Sequence, residues 1–150
     1  MRRGDAAFDI RPATVKQLLD AHALVPEFTL GGEAYFRDRL AGRTSLSLIA
    51  WDGDRIAGYA VAYLEGDVVY IWLAGTDPDY RGRGVYSEIF EEIRRWPAAQ
   101  ASAKIRLKTT NSFPAMLRWL VKNGFMFAAI EQGGTPMENR IIAELPLHRS

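Results

Sequence analysis

Three apolar runs separated by two short turns lie in the middle of the chain, and they constrain its fold more than any other feature. The first two runs, Ser45 to Trp51 and Arg55 to Leu64, are joined by Asp52-Gly53-Asp54. An Asp-Gly pair between such runs is a strong hairpin signal, because glycine supplies the positive φ that a tight turn needs. A second turn, Glu65-Gly66-Asp67, leads into the β-branched and aromatic run from Val68 to Leu73. The pattern predicts three consecutive antiparallel strands.

Further elements are predicted on both sides of this meander. Before it, Phe8 to Pro12 alternates apolar and polar residues as a strand does, and helical spacing begins at Thr14, whose hydroxyl suits an N-cap. The predicted order is one strand, two helices, three strands, then a helix, a strand, a helix and two closing strands, in one α+β domain over residues 1–150. The remaining predicted elements are helices at 34–40, 85–95 and 114–122 and strands at 104–109, 125–131 and 140–147.

The composition excludes several kinds of site and partner. With no cysteine in 150 residues, the chain has no disulfide, no thiolate nucleophile and no cysteine-ligated zinc. Its two histidines, His22 and His148, are far apart, so no histidine metal site is expected. A formal net charge of +1 argues against nucleic acid as a partner, and no apolar run reaches the roughly 20 residues of a membrane span. We therefore expect a cytoplasmic protein with no metal and no membrane partner.

The segment from Asp77 to Tyr86 carries the most informative chemistry. It joins the third meander strand to a helix, and it contains Gly82 and Gly84 between Arg81, Arg83 and the helix start. The first N–H groups of a helix, together with its positive dipole end, form an anion site, and the arginines add positive charge. A cradle for a diphosphate and an ordinary strand-to-helix turn with solvated arginines are both compatible with these residues.

Two common phosphate-binding motifs do not match this segment. A P-loop requires Gly-Lys-Ser/Thr at the helix start, and the chain has no such sequence. A dinucleotide fingerprint requires a third Gly or Ala three residues after Gly84, where Ser87 and Glu88 stand instead. The kind of phosphate compound is therefore not set by either motif.

At this segment the chain resembles the GNAT superfamily of acyl-CoA-dependent N-acetyltransferases. The family motif Gln/Arg-x-x-Gly-x-Gly/Ala is similar to Arg81-Gly82-Arg83-Gly84-Val85-Tyr86, and Asp77-Pro78-Asp79-Tyr80 before it is also family-like. A second motif, an Asn before a helix that ends in Gly-Phe, is similar to Asn111 through Gly124-Phe125. Further similarity is found in Ile10 to Ala13 and Ile56 to Tyr59, so the resemblance covers about Phe8 to Leu147.

The resemblance implies a single α+β domain with a mixed central sheet of about six to seven strands and helices on both faces. It implies transfer of an acetyl group from acetyl-CoA to an amine by direct attack in a ternary complex, without a metal. The oxyanion donor would be the backbone N–H of Ala74, and Thr76 and Asn111 would contact the pantetheine arm. Asn111 is equally well explained as a helix cap. The diphosphate would lie on the residues of the first motif, namely Arg81, Gly82, Arg83, Gly84, Val85 and Tyr86.

Two positions depart from the family pattern. Tyr86 stands where the first motif usually has Gly or Ala, and its ring must lie toward the phosphates or along the sheet. Leu120 stands four residues before Gly124, where many members carry a tyrosine that protonates the departing thiolate. Leucine cannot donate a proton, so we expect that this chain has no dedicated thiolate acid.

Candidates for the remaining roles are weaker. Tyr70 occupies the strand position at which some relatives carry a catalytic carboxylate. A tyrosine with its ordinary pKa near 10 is a poor base at pH 7, so a relay of water molecules is an equal alternative for removing the proton. The favoured explanation of Tyr70 itself is an aromatic residue packed in the strand. Glu27, Phe28 and Tyr35 lie in the segment that shapes the acceptor pocket in relatives. His22 is predicted to be a surface or capping residue.

Two alternatives to the enzyme remain open. A non-catalytic acyl-CoA-binding module would keep the phosphate cradle and lack the acid and base, as Leu120 suggests. An RNA-binding domain would use basic residues, although the nearly neutral charge disfavours it. The acceptor, a small-molecule or peptide amine, is not identified by any motif, and the two closing strands could pair with a second subunit as a homodimer. The basic residues of the RNA alternative are Arg81, Arg83, Lys104, Arg106 and Lys108.

Overall fold

The computed structural model describes residues 7–25 and 32–147. The described chain has seven strands and five helices, in the order predicted from the sequence with one short helix added after position 96. The strands are β1 (Asp9–Pro12), β2 (Ser45–Asp52), β3 (Arg55–Glu65), β4 (Val68–Thr76), β5 (Lys104–Thr110), β6 (Met126–Glu131) and β7 (Arg140–Pro146). The helices are α1 (Val15–Ala23), α2 (Glu33–Leu40), α3 (Val85–Arg95), α4 (Pro97–Gln100) and α5 (Pro114–Lys122).

The strands form one mixed sheet in the order β1-β2-β3-β4-β5-β7-β6. Strands β1, β2 and β3 are neighbours in this sheet, and the β1–β2 and β2–β3 pairs are antiparallel. The hairpin signal at Asp52-Gly53-Asp54 predicts the β2–β3 pair, which is confirmed. Strand β5 is parallel to β4 and antiparallel to β7. The α+β fold class and the predicted strand number are therefore confirmed.

By its contacts the chain divides into two compact units, residues 1–63 with 73–96 and residues 64–72 with 97–150. Within the first unit, every residue of β3 from Ala57 to Tyr63 is buried, so both faces of this part of the strand are covered. Helix α3 buries the face predicted from its spacing, with Val85, Ile89 and Ile93 each at most 2% exposed. Burying large aliphatic side chains of this kind stabilises a fold by about 1.5–3 kcal/mol each.

Gly58 lets the start of α3 lie against β3 within this first unit. A Cβ atom at position 58 would come 2.7 Å from Cγ1 of Val85 and 2.9 Å from the carbonyl oxygen of Gly75. Both distances are shorter than normal contact distances of a carbon atom. The start of α3 and the end of β4 can therefore lie against β3 only because residue 58 has no side chain. The close approach fixes where the loop between β4 and α3 can run.

The second unit separates apolar and charged residues by strand alternation. Ile105 and Leu107 of β5 are buried, whereas Lys104 and Arg106 alternate with them and both bind Glu144 of β7, at 3.1 and 2.8 Å. Strand β6 lies at one end of the sheet, and each of its six residues is exposed. Edge strands with this exposure offer unpaired backbone groups to a partner.

Turn and cap residues behave largely as their sequence predicts. Gly53 and Gly124 have φ values of 63° and 87°, the left-handed conformation expected of a hairpin turn and a helix end. Thr14 caps α1 in a reciprocal arrangement with Gln17. The predicted capping of α5 by Asn111 is wrong, because the N-cap is Phe113 and no side chain bonds there. In the part of the chain that the structure describes, no helix is long and apolar enough to span a membrane.

Candidate functional site

The loop between β4 and α3 is shaped by a short capped turn and two left-handed glycines. Residues Pro78–Tyr80 form one 3₁₀ turn, which the buried carboxylate of Asp77 caps by accepting a hydrogen bond of 2.9 Å from the Asp79 N–H. Gly82 and Gly84 then have φ values of 79° and 81°. L-residues with a side chain disfavour this conformation, so the two glycines are what allow the chain to turn into α3.

Gly84 is the N-cap of α3 and leaves the helix start open. It has no side chain to bond the first-turn N–H groups, which an α-helix leaves without acceptors inside the helix. A Cβ atom built at Gly82 or at Gly84 would meet nothing within 4 Å, so the space in front of both residues is open. An unobstructed helix N-terminus, with its free N–H groups and positive dipole end, fits a phosphate group.

The two loop arginines are held differently. The Nε of Arg81 donates to the carbonyl oxygen of Thr76 at 3.3 Å, which ties the loop back to the end of β4. The guanidinium carbon of Arg83 lies 5.1 Å from the centre of the Tyr80 ring. Both arginines are exposed, so both add positive charge beside the open helix start.

The last residues of β4 present their backbone in alternating directions. The Asp77 N–H donates to the Ala57 carbonyl of β3 at 2.9 Å, and a Cβ atom at Gly58 of β3 would lie 2.9 Å from the Gly75 carbonyl oxygen. Because backbone groups alternate along a strand, the N–H and C=O of Ala74 and Thr76 point away from β3. The strand continues beyond the apolar run from Val68 to Leu73, through Ala74 to Thr76.

Within the second unit, β4 and β5 pair over a short register. Val68 is aligned with Lys104, and the register ends where Ile71 is aligned with Leu107. Both strands continue beyond this point, β4 to Thr76 and β5 to Thr110. The Ala74 N–H, which points away from β3, therefore lies beyond the last register position with β5.

Tyr70, the predicted base, is half-buried on β4. It is aligned with Arg106 of β5, whose guanidinium binds Glu144. The hydrogen bond from Arg106, supported by Lys104, holds the pKa of Glu144 below its usual range. The charged residue aligned with Tyr70, Arg106, is thus already paired with Glu144. A role for Tyr70 in catalysis stays a prediction.

Asn111, predicted to hold the pantetheine arm or to cap a helix, makes a third kind of contact. Its Nδ2 donates to the carbonyl oxygen of Pro136 at 3.0 Å, in the loop between β6 and β7. This loop is tightly closed, since the Gly133 N–H donates to Oδ1 of Asn139 at 2.8 Å. A Cβ at Gly133 would lie 2.6 Å from the Glu138 carbonyl oxygen. The Asn111 side chain therefore fixes one end of the closing hairpin within the second unit.

The two positions that depart from the family pattern are both directed into the protein. The hydroxyl oxygen of Tyr86 is buried, its ring lies 6.3 Å from that of Phe90, and burial raises the pKa of the phenol. The ring of Tyr86 therefore packs against Phe90, which lies one helical turn further along α3. Leu120 is 0% exposed, in the core of the second unit.

The predicted acceptor residues are only partly described. Tyr35 lies on α2, 36% exposed, with its ring edge-on to Phe36 at 6.2 Å. Glu27 and Phe28 lie outside the described residues. Among residues 7–25 and 32–147, no group of three or more acidic or histidine side chains is arranged to hold a metal ion.

His22 is the clearest residue that the sequence interpretation misjudged. It is 6% exposed rather than on the surface, its Nδ1 lies 2.5 Å from the Tyr59 hydroxyl, and Phe36 packs edge-on to its ring at 5.6 Å. Burial lowers the pKa of His22 and raises that of Tyr59, so both are neutral near pH 7. The sequence does contain a signal for the burial of His22, because it lies four residues after Leu18 and therefore on the same face of the helix.

The sequence model of the acetyltransferase (GNAT) family matches residues 14–125. The chain belongs to the GNAT family. The matched range includes both motifs on which the resemblance was based, from Arg81 to Tyr86 and from Asn111 to Phe125. It ends before β6 and β7. No curated protein matches this GNAT chain.

Solved structures share the GNAT fold over nearly the whole chain. The ribosomal-protein-S18-alanine N-acetyltransferase of Escherichia coli has a TM-score of 0.78 and 18% identity, covering 95% of this chain and 96% of that one. A Bacillus subtilis acetyltransferase in complex with CoA has a TM-score of 0.70 and 20% identity, covering 93% and 98%. A Streptococcus pneumoniae acetyltransferase of the GNAT family has a TM-score of 0.72 and 18% identity, covering 93% and 98%. At such identities the likeness establishes the fold of this GNAT chain.

Proposed function

We propose that this protein is an N-acetyltransferase that moves an acetyl group from acetyl-CoA to an amine by direct attack in a ternary complex. The observation that carries the proposal is the open helix start at Gly84, where a left-handed glycine with free space before it precedes α3. The family and the neighbour solved with CoA support the same cosubstrate. When bound, acetyl-CoA supplies the activated acetyl group as a thioester.

Backbone groups of the loop are the proposed diphosphate ligands. Gly82 and Gly84 give the loop its curvature, and the N–H groups at Val85 and Tyr86 begin α3 with its positive dipole end. The exposed Arg83 adds a charged side chain, whereas Arg81 braces the loop against Thr76. Since the Tyr86 phenol is buried, it adds no bulk in front of the loop.

We assign stabilisation of the tetrahedral oxyanion to the Ala74 N–H. This group points away from β3 and lies beyond the β4–β5 register, as a donor to a bound ligand must. Removing one such donor typically slows a reaction by about 100- to 1000-fold. We further propose that Thr76 contacts the pantetheine arm through its backbone, which has the same orientation as that of Ala74.

The proposed proton steps involve few side chains. The incoming amine arrives as an ammonium ion and loses a proton to Tyr70 or to a chain of water molecules before it attacks. Because Leu120 has no proton to donate, we propose that the sulfur leaves without a dedicated side-chain acid. A thiol pKa near 8.5 makes a thiolate a tolerable leaving group at neutral pH.

The acceptor is proposed as a primary amine of a small molecule or a peptide. The Escherichia coli neighbour is named for the alanine of a ribosomal protein, which favours including peptide amino termini among the candidates. Tyr35 on α2, with Glu27 and Phe28, remains the proposed wall of the acceptor pocket. Asn111 remains proposed for the pantetheine arm through its Oδ1, since its Nδ2 donates to Pro136.

The alternative function is a non-catalytic acyl-CoA-binding module. The buried Leu120 favours this alternative, because a core side chain stands at the position that supplies the thiolate acid in many relatives. Calorimetric titration with CoA, combined with thiol release from acetyl-CoA across a panel of amines and peptides, separates the two functions. Binding with amine-dependent release supports the enzyme, binding without release on any amine supports the module, and no binding contradicts both.

A cytoplasmic location, no nucleic-acid partner and a homodimer stay predictions. For nucleic acid, the basic residues Lys104, Arg106 and Lys108 are engaged in ion pairs with two glutamates, which lowers the positive potential that RNA needs. For the homodimer, the exposed edge strand β6 is the proposed contact, since its Ile130 side chain is 62% exposed. Light scattering of the wild type and of Ile130→Lys tests it, and a dimer that the substitution leaves intact contradicts β6 as the contact.

A further inference from the structure

Tyr80 anchors the glycine-rich loop to the turn between β2 and β3. It ends the 3₁₀ turn, is 4% exposed, and its hydroxyl donates to Oδ2 of Asp52 at 2.6 Å, 28 positions earlier in the chain. Phe8 packs edge-on to the ring, with centroids 6.0 Å apart and planes at 77°. The ring is therefore fixed both at its hydroxyl and at its edge.

Two guanidinium groups lie over this ring, and they differ in charge balance. The guanidinium carbon of Arg55 is 4.9 Å from the ring centre and that of Arg83 is 5.1 Å away. Arg55 is neutralised by Asp79 at 2.5 Å, with Asp77 at 3.6 Å. Arg83 has no carboxylate partner among residues 7–25 and 32–147.

Stacking of this kind orients a guanidinium without using its hydrogen-bonding capacity. The contact with an aromatic ring occupies the face of the guanidinium plane, whereas its five N–H donors lie at the edge of that plane. A bidentate match to phosphate oxygens requires those edge donors in a fixed orientation. Arg83, one residue before the open helix start at Gly84, lies at stacking distance from the Tyr80 ring.

We propose that Tyr80 is a positioning residue for the anion site, which holds the Arg83 guanidinium over its ring so that the edge of Arg83 faces a bound diphosphate. Asp52 fixes Tyr80 in this role through the phenol hydrogen bond, and Arg55 completes the same stack from the hairpin turn. The inference rests on the proposed function, since the diphosphate is that of the CoA cosubstrate. It assigns a role to Asp52, Arg55 and Tyr80, which the sequence interpretation did not include.

A double-mutant cycle on CoA binding tests the proposal. Calorimetry would compare wild type, Arg83→Gln, Tyr80→Leu and the double variant at one ionic strength. Arg83→Gln is expected to weaken CoA binding by about tenfold, as for a charge-assisted hydrogen bond. Tyr80→Leu is expected to weaken it by about threefold, as for a lost cation–π contact. In the Arg83→Gln background, Tyr80→Leu should cause no further loss, because its effect passes through Arg83.

Milder variants keep the test informative if the buried Tyr80→Leu does not fold. Tyr80→Phe retains the ring and removes the hydrogen bond to Asp52, and Asp52→Ala removes the same bond from the other side. Both should weaken CoA binding to the same extent, whereas Asp54→Ala, which removes an exposed carboxylate from the same turn, should leave it unchanged.

The outcomes separate this inference from the function on which it rests. No CoA binding by the folded wild type overturns both the proposed function and the inference. CoA binding by the wild type with additive losses for Tyr80 and Arg83 overturns only the inference, because the two residues would then act independently. Equal losses in Asp52→Ala and Asp54→Ala also overturn it, since the turn charge rather than the Tyr80 bond would matter.

Discussion

The hydroxyl oxygen of Tyr59, within β3, lies 2.5 Å from Nδ1 of His22 near the end of α1, and both side chains are buried. Burial shifts the two pKa values in opposite directions, upward for the phenol and downward for the imidazole, and each shift favours the neutral form. With its proton on Nε2, the imidazole accepts the hydrogen bond that the phenol donates. The pair therefore connects helix and strand without placing a charge in the core.

We expect the free energy of unfolding to fall as the pH drops below the ordinary histidine value of 6.5, because the folded protein holds His22 neutral while the unfolded chain takes up a proton. The contribution is fully present above pH 6.5 and is lost as the pH decreases from there. His22→Gln should flatten this dependence. Urea unfolding at pH 7.5, 6.5 and 5.5 measures it.

The other histidine of the chain provides the control for this experiment. His148→Gln removes one titratable imidazole of the same type and reports what any histidine contributes to the slope. The assignment to His22 would be contradicted if His148→Gln changed the pH dependence of the free energy of unfolding and His22→Gln did not.

Gly84→Ala is expected to weaken CoA binding by tenfold or more. Its φ of 81° costs an L-residue roughly 1–2 kcal/mol, and relief of that strain would turn the first N–H groups of α3 away from the diphosphate. Gly42→Ala is a matched control, since Gly42 has a φ of 72° and the same open space around its missing Cβ. We expect Gly84→Ala and Gly42→Ala to lose thermal stability equally. Only Gly84→Ala should also lose CoA affinity. Unchanged affinity in Gly84→Ala would contradict the cradle.

Leu120→Tyr tests whether a thiolate acid can be restored. The site is fully buried, so the added ring should cost about 1–3 kcal/mol of stability. Leu120→Phe carries the same ring without the hydroxyl and serves as the control for packing. If the leaving sulfur limits turnover, kcat for thiol release should be several-fold higher in Leu120→Tyr than in Leu120→Phe. Equal kcat values would show that the missing acid does not limit the rate.

Asn111→Asp is expected to loosen the loop between β6 and β7, because a carboxylate cannot donate to the Pro136 carbonyl. The lost hydrogen bond should increase hydrogen exchange of residues 135–139, at a cost of about 1 kcal/mol. Asn123→Asp removes a bond of the same type to Trp119 at the end of α5 and should leave that loop unchanged. A CoA affinity that Asn111→Asp leaves intact and Asn111→Ala reduces would support the Oδ1 contact with pantetheine.

Local sequence signals were enough to predict most of the fold. The turn at Asp52-Gly53-Asp54, the apolar face of α3 and the stop of α5 at Gly124 depend on backbone preferences and side-chain spacing that a few neighbouring residues determine. At the end of β4, Ala74 and Gly75 have little strand propensity of their own. These residues are extended because the neighbouring strand β3 bonds the chain as far as Asp77.

The candidate site was predictable where its chemistry lies within one motif and not where it depends on distant partners. The glycines of the loop between β4 and α3 were identified from their own positions. The contacts of Tyr80 with Asp52 and of Asn111 with Pro136 join residues 28 and 25 positions apart, so no local pattern reveals them. The burial of His22 had a local signal in its position four residues after Leu18, but its partner Tyr59, 37 positions away, had none.

The missing side chain at Gly58 limits how this enzyme can change over generations of mutation. Each possible replacement adds a Cβ atom that would collide with Val85 and with the Gly75 carbonyl. In a library that carries all twenty amino acids at this codon, selection for acetyl transfer should return glycine alone. The codon of an exposed residue such as Asp54 should drift in the same selection.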